Sequence, residues 1–160
     1  MIRTLLVVAA AAALAPLAAC AGDGSANASM ASAKSIAVTI TTAKGSHVFQ
    51  SEVARTAAEQ QRGLMFRTNL AKDFGMIFTP YPAEGGGPRV ASFWMKDTPS
   101  SLDIIFIRPD GTIANIAENT IPFSETPVGS TEPVSAVLEI VGGRSAELGI
   151  AAGDRVTWPR

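Results

Sequence analysis

From Ile36 the chain alternates: Ile36, Val38 and Ile40 are apolar, and Ala37, Thr39 and Thr41 between them are small or polar. That two-residue period predicts a half-buried strand. Ala43-Lys44-Gly45 supplies a turn, and Val48 to Ala54 the returning arm of a hairpin. Thr56 with Glu59 behind it is a capping-box pattern, predicting a short helix through Gln60, Gln61 and Arg62 that stops at Gly63. Strands are predicted again over Phe74 to Thr79 and Val90 to Met95, with an exposed Pro- and Gly-rich loop from Pro80 to Pro88 between them. Leu102 to Ile107 is the most apolar stretch, and its uninterrupted Ile104-Ile105-Phe106-Ile107 predicts burial on both faces. Arg108-Pro109-Asp110-Gly111 has strong turn chemistry, and Thr112 to Ala117 is the hairpin partner. Glu118 to Pro133 is expected to be mostly loop, followed by a strand at Ala136 to Val141, a helical turn at Ser145 to Gly149 and a last strand at Arg155 to Trp158. Eight short strands with one or two small helices predict an all-β fold, a compact single-domain sandwich or barrel over residues 36–160.

The pattern before Ile36 is different. Arg3 is followed by Leu5 to Ala19 without a charge, roughly 22 Å as helix and short of the ~30 Å hydrocarbon core. A short apolar run behind a basic start is a secretory signal pattern, here residues 1–19. It ends in Leu17-Ala18-Ala19-Cys20, which resembles the lipobox of bacterial lipoproteins, where the Cys thiol is acylated and becomes the mature N-terminus. Simple cleavage at the small-x-small site Ala19-Cys20-Ala21 is the alternative. The small polar residues of 20–35 form a lipidated Cys and flexible tether of roughly 20 Å reach. By the same resemblance, Ala21 in place of Asp favours the outer membrane, facing the periplasm, if the host has one. The expected partners are therefore the membrane, through acylated Cys20, and an envelope ligand or protein.

Composition narrows the functional classes. Thirteen Lys+Arg against 14 Asp+Glu give a net charge of −1, so no nucleic-acid footprint is expected. One Cys excludes an internal disulfide and any Cys-cluster zinc site. Seventeen of the first 20 residues are hydrophobic, which accounts for the positive mean hydropathy of +0.24.

Arg62-Gly63-Leu64-Met65-Phe66-Arg67, Gly75-Met76-Ile77-Phe78, Phe93-Trp94-Met95-Lys96-Asp97-Thr98, Leu102-Asp103-Ile104-Ile105-Phe106 and Val137-Leu138-Glu139-Ile140 together resemble the bacterial and archaeal family of domain of unknown function 192. The resemblance runs across roughly residues 36 to 158. It implies a mainly β domain, often secreted or tethered, and brings no established reaction. Asp97 stands where Asn is common in the family.

Asp103 and Glu139 lie in apolar strands, where an unpaired carboxylate would be costly. Arg62, Arg67 and Lys96, from the same motifs, are the expected counter-ions. Two carboxylates beside a cation could perform acid/base work. The plainer reading gives Asp103 a cap on the Pro99-Ser100-Ser101 turn and Glu139 a salt bridge. Met65, Met76 and Met95 with Trp94 could hold Cu(I), although methionines more often fill gaps in a core. His47 is expected on an exposed strand position, and Gly85-Gly86-Gly87 in a mobile loop. No hydrolase elbow, P-loop, dinucleotide fingerprint or zinc-protease motif occurs, and no cofactor is expected. The leading expectation is a lipid-anchored, non-catalytic envelope domain that binds a small molecule, glycan or protein. Its contact surface would draw on Arg62, Arg67, Trp94, Lys96, Thr98 and Asp103. The alternatives are an envelope hydrolase using Asp103 and Glu139 with Lys96 or Arg62, and a Met/Trp copper module.

Overall fold

The computed structural model describes residues 35–159; the signal, the lipobox Cys20 and the tether lie outside them. In chain order the elements are β1 (Ile36–Thr42), β2 (Gly45–Ala54), α1 (Ala57–Arg62), β3 (Phe74–Phe78), β4 (Ser92–Phe93), β5 (Leu102–Ile107), β6 (Ile113–Ala117), β7 (Val128–Gly129), β8 (Ala136–Val141), α2 (Arg144–Leu148) and β9 (Arg155–Thr157). Seven strands form one sheet in the order β6-β5-β8-β3-β2-β1-β9. All neighbours are antiparallel except β2 and β3, whose crossover carries α1.

The edges of that sheet meet. Ile113 N–H donates to the Asp154 carbonyl at 2.9 Å and Val156 N–H to the Gly111 carbonyl at 2.8 Å, with a bridge between Thr112 and Arg155. The sheet is thus a nearly closed barrel, which satisfies backbone groups that an open edge would leave exposed. Its interior is filled by one side of each strand, with Val38, Ile40, Phe49, Ile77, Ile105 and Leu138 at its centre.

A second apolar layer lies outside the barrel wall. Met76, Phe78, Ile104, Phe106 and Val137 project from β3, β5 and β8 and are covered by Leu64, Ala91 and Met95 from the connecting segments. The uninterrupted apolar run of β5 follows from this arrangement: every one of its residues is buried, even-numbered ones outward and odd-numbered ones inward.

The covering segments account for the two departures from the predicted elements. Val90 to Met95 alternates as a strand would, but only Ser92–Phe93 pairs, with β7, inside the stretch expected to be loop. Its alternation arises because Ala91 and Met95, with Phe93 between them, pack down onto the outer wall instead of joining the barrel sheet. The capping box at Thr56 forms as predicted: Thr56 Oγ1 accepts from Glu59 N–H, and Glu59 Oε2 accepts from Thr56 N–H.

Candidate functional site

The outer layer does not close completely. Between α1, the 80–89 loop and the 92–98 segment it leaves a cleft of about 260 Å³ whose lining includes Arg62, Phe78, Arg89, Phe93, Trp94 and Glu139. Its walls are fixed from several sides. Gln60 Nε2 donates to the carbonyls of Ala54 and Pro80, tying α1 to the strand ends. Phe66 N–H donates to the Asp97 carbonyl at 2.7 Å, and Ser100 Oγ to the Arg67 carbonyl, joining the turn after α1 to the 94–98 turn. Phe93 stacks edge-on against Phe78, with ring centres 5.1 Å apart, and Tyr81 leans on it at 5.7 Å.

Glu139 lies at the floor, 4% exposed and in register with Ile104 on one side and Met76 on the other. Its Oε2 has no hydrogen-bond partner among the described residues. Removal from water without a compensating charge pushes its carboxyl up to about 8, so it carries its proton at neutral pH. Directly above it, Gly63 ends α1 with φ +46, and a Cβ there would stand 3.3 Å from Phe78 Cζ and 3.8 Å from Glu139 Oε2. Glycine thus meets the backbone geometry and keeps the space over the carboxyl clear.

Asp103 is placed differently. It is fully buried on the barrel-interior side and accepts from Asn119 N–H (2.8 Å) and Gly143 N–H (2.9 Å) at Oδ1, and from Ser145 N–H (2.7 Å) at Oδ2. It therefore fastens the 118–120 loop and the start of α2 to the barrel, and does not cap the Pro99-Ser100-Ser101 turn. In place of the expected basic counter-ions, Asp103 has three backbone amides, and Glu139 has no ion-pair partner among the described residues. Because Asp103 pairs with Ile140 and Ile104 with Glu139, strand alternation sends the two carboxylates to opposite faces. They share no cleft, so the paired-carboxylate arrangement is not formed.

Of the other predicted contact residues, Arg62, Trp94 and Thr98 line the cleft. Lys96 belongs to a more open adjoining depression, its Nζ 5.4 Å from the Trp94 ring centre. Arg67 is outside the cleft, held in a two-pronged pair with Glu52 at 2.8 and 3.1 Å. Met76 and Met95 are buried in the outer layer, where Met95 Sδ accepts from Thr120 Oγ1, and Met65 lines the cleft wall. His47 is half-buried opposite Ile40 in the hairpin. Tyr81, Glu84, Arg89 and Phe93 are cleft residues that sequence reasoning assigned no role. For Tyr81, Glu84 and Arg89 the signal available was the aromatic and charged content of a loop rich in Pro and Gly; for Phe93 it was its place in the Phe93–Thr98 motif.

The sequence pattern of the DUF192 family, described as Uncharacterized ACR, matches residues 38–158. The chain belongs to this family. Four of the five stretches that carry the resemblance meet at the cleft of this DUF192 domain, and only the one containing Asp103 does not. The family's Asn at the position of Asp97 also acquires a reason: Asp97 has φ +52, a left-handed conformation that Asn and Asp adopt most readily among residues with a side chain. A crystal structure of a protein of unknown function from Novosphingobium aromaticivorans DSM 12444 is similar, with 51% identity, TM-score 0.73, and coverage of 78% of this chain and 85% of that one. Another, described as a candidate transcription regulator from Sinorhizobium meliloti 1021, has 39% identity and TM-score 0.71 over 78% and 93% of the two chains. No curated protein matches.

Proposed function

We propose that this DUF192 domain is a binding module for a small polar molecule with an apolar body, received in the cleft above Glu139. The observation that carries the reading is the unpartnered Glu139 Oε2. A buried polar atom without a partner costs on the order of 1–3 kcal/mol, and here it lies at the floor of the place where four motifs meet. A bound ligand that accepts from this carboxyl would relieve that cost, while Phe93 and Trp94 would cover its apolar part. The reading needs no second carboxylate and no metal. A regulator role by analogy with the Sinorhizobium protein has less support, because the net charge of −1 offers no excess of cations for nucleic acid.

The reading extends to location. Arg3, the apolar run to Ala19 and the lone Cys20 support export and acylation at Cys20, with the tether holding the domain beside the membrane. Ligand-observed NMR with a panel of neutral sugars, amino acids and small organic acids tests the binding role. Members of the panel should bind wild type and lose binding in Glu139→Leu; a panel-wide lack of binding by wild type overturns the reading. Cell fractionation tests the anchor: Cys20→Ser should move the protein out of the membrane fraction, and unchanged fractionation refutes acylation.

A further inference from the structure

The charges around the cleft select among ligands. Arg62 lines it from the end of α1, and Glu84 and Arg89, together with the phenol of Tyr81, line it from the 80–89 loop. Arg89 Nη2 lies 3.6 Å from Glu84 Oε2, so these two largely cancel. Among the described residues no ion pair engages Arg62. The other elements around Glu139 bring it no ionisable group among the described residues: β3 contributes Met76 and Phe78, β5 Ile104, and the 92–98 segment Phe93 and Trp94, while Lys96 and Asp97 open onto the adjoining depression, which Arg62 also lines. With Glu139 protonated, an incoming molecule meets one cation that has no ion-pair partner among the described residues, a buried O–H donor at the floor, the hydroxyls of Tyr81, Ser92 and Thr98 higher up, and a wall of aromatic rings.

We infer, building on the binding role proposed above, that the cleft selects a small carboxylate with an apolar body, Glu139 donating to it from the floor and Arg62 supplying the counter-charge. A cationic ligand would have to ionise a buried carboxyl and remain near Arg62. A neutral ligand could accept from Glu139 but would bring no charge to oppose that of Arg62. A carboxylate offers Glu139 an ionised acceptor and brings a charge opposite to that of Arg62 into the cleft, and a hydrogen bond to an ionised acceptor is roughly twice as strong as one between neutral groups.

Three probes of nearly one shape separate these cases: benzoate, benzamide and benzylammonium, titrated into the full chain in detergent and followed by ligand-observed NMR. Benzoate should bind tightest near neutral pH. Its affinity should fall about tenfold per pH unit once Glu139 ionises above about 8. Glu139→Gln keeps an N–H donor, so it should retain benzoate and lose that pH dependence. Arg62→Gln, at an exposed position, should weaken benzoate about tenfold or more and benzamide far less. No binding of benzoate, tighter binding of benzamide or benzylammonium than of benzoate, or benzoate affinity that does not fall above pH 8, overturns the carboxylate inference. The binding role survives those outcomes, and it falls only if the wider panel also fails.

Discussion

Replacing Glu139 with Gln isolates the cost of keeping a carboxyl at the cleft floor. The side chain is 4% exposed, has no charged neighbour in ion-pairing reach among the described residues, and is pushed up from an ordinary 4.5 to about 8 by burial alone. Because its proton is held more tightly in the folded state, this group's contribution is fully present below about 4.5 and is lost as pH rises through about 8. Within that window the unfolded chain releases a proton that the native protein keeps, so stability should fall by roughly 1.4 kcal/mol per pH unit, on the order of 5 kcal/mol in all. Glutamine cannot ionise and should remove this slope. The variant should therefore be close to wild type near pH 5 and several kcal/mol more stable near pH 8. Urea unfolding followed by the fluorescence of Trp94 and Trp158 measures the difference, with the denaturant slope checked for constancy. Glu59, Asp110, Glu132 and Glu147, all held below their usual range by hydrogen bonds, act at the other end. Their contributions are present above the ordinary carboxylate range and are lost on acidification below it, so they cancel from the comparison. Wild-type and variant curves that stay parallel between pH 5 and 8 would refute the buried neutral carboxyl.

Gly63→Ala places a Cβ 3.3 Å from Phe78 Cζ on a backbone with positive φ. It should cost about 1–2 kcal/mol in urea unfolding and reduce ligand binding in the panel, because the methyl stands over Glu139. Asp103→Ala strips the partner from three backbone amides at once. A loss of about 3 kcal/mol or more is expected, with faster hydrogen exchange at Asn119, Gly143 and Ser145, whereas Asp103→Asn should be milder. Thr56→Ala opens the capping box and should cost about 1 kcal/mol, read as a lowered denaturation midpoint.

The barrel strands were legible because alternation reports which face is covered, as in β1, or that both are, as in β5. The short pair β4–β7 was not, since two residues carry no period and Val90 to Met95 alternates against a wall instead of within a ladder. The cleft was half legible. Arg62, Trp94, Thr98 and Glu139 stood out as polar or aromatic residues within apolar motifs. Their companions Tyr81, Glu84 and Arg89 come from a loop whose composition predicts exposure, and only tertiary folding lays that loop beside Phe93. The partners of Asp103 were unpredictable for a further reason: backbone amides carry no sequence signal. The same applies to opposing faces, because the separation of Asp103 and Glu139 depends on a register between β5 and β8 that neither strand specifies alone.

The last strand of the barrel has a consequence for how the chain reaches its native state. β9 pairs with β1 at one side, and its neighbourhood meets the β6 edge at the other. The first and last segments of the domain must therefore find each other before the interior is sealed, a closure across the whole domain that carries an entropic cost and slows folding. During synthesis the growing polypeptide holds no complete barrel until β9 has emerged. Such a topology delays commitment to the folded state until the strands farthest apart in the domain have paired.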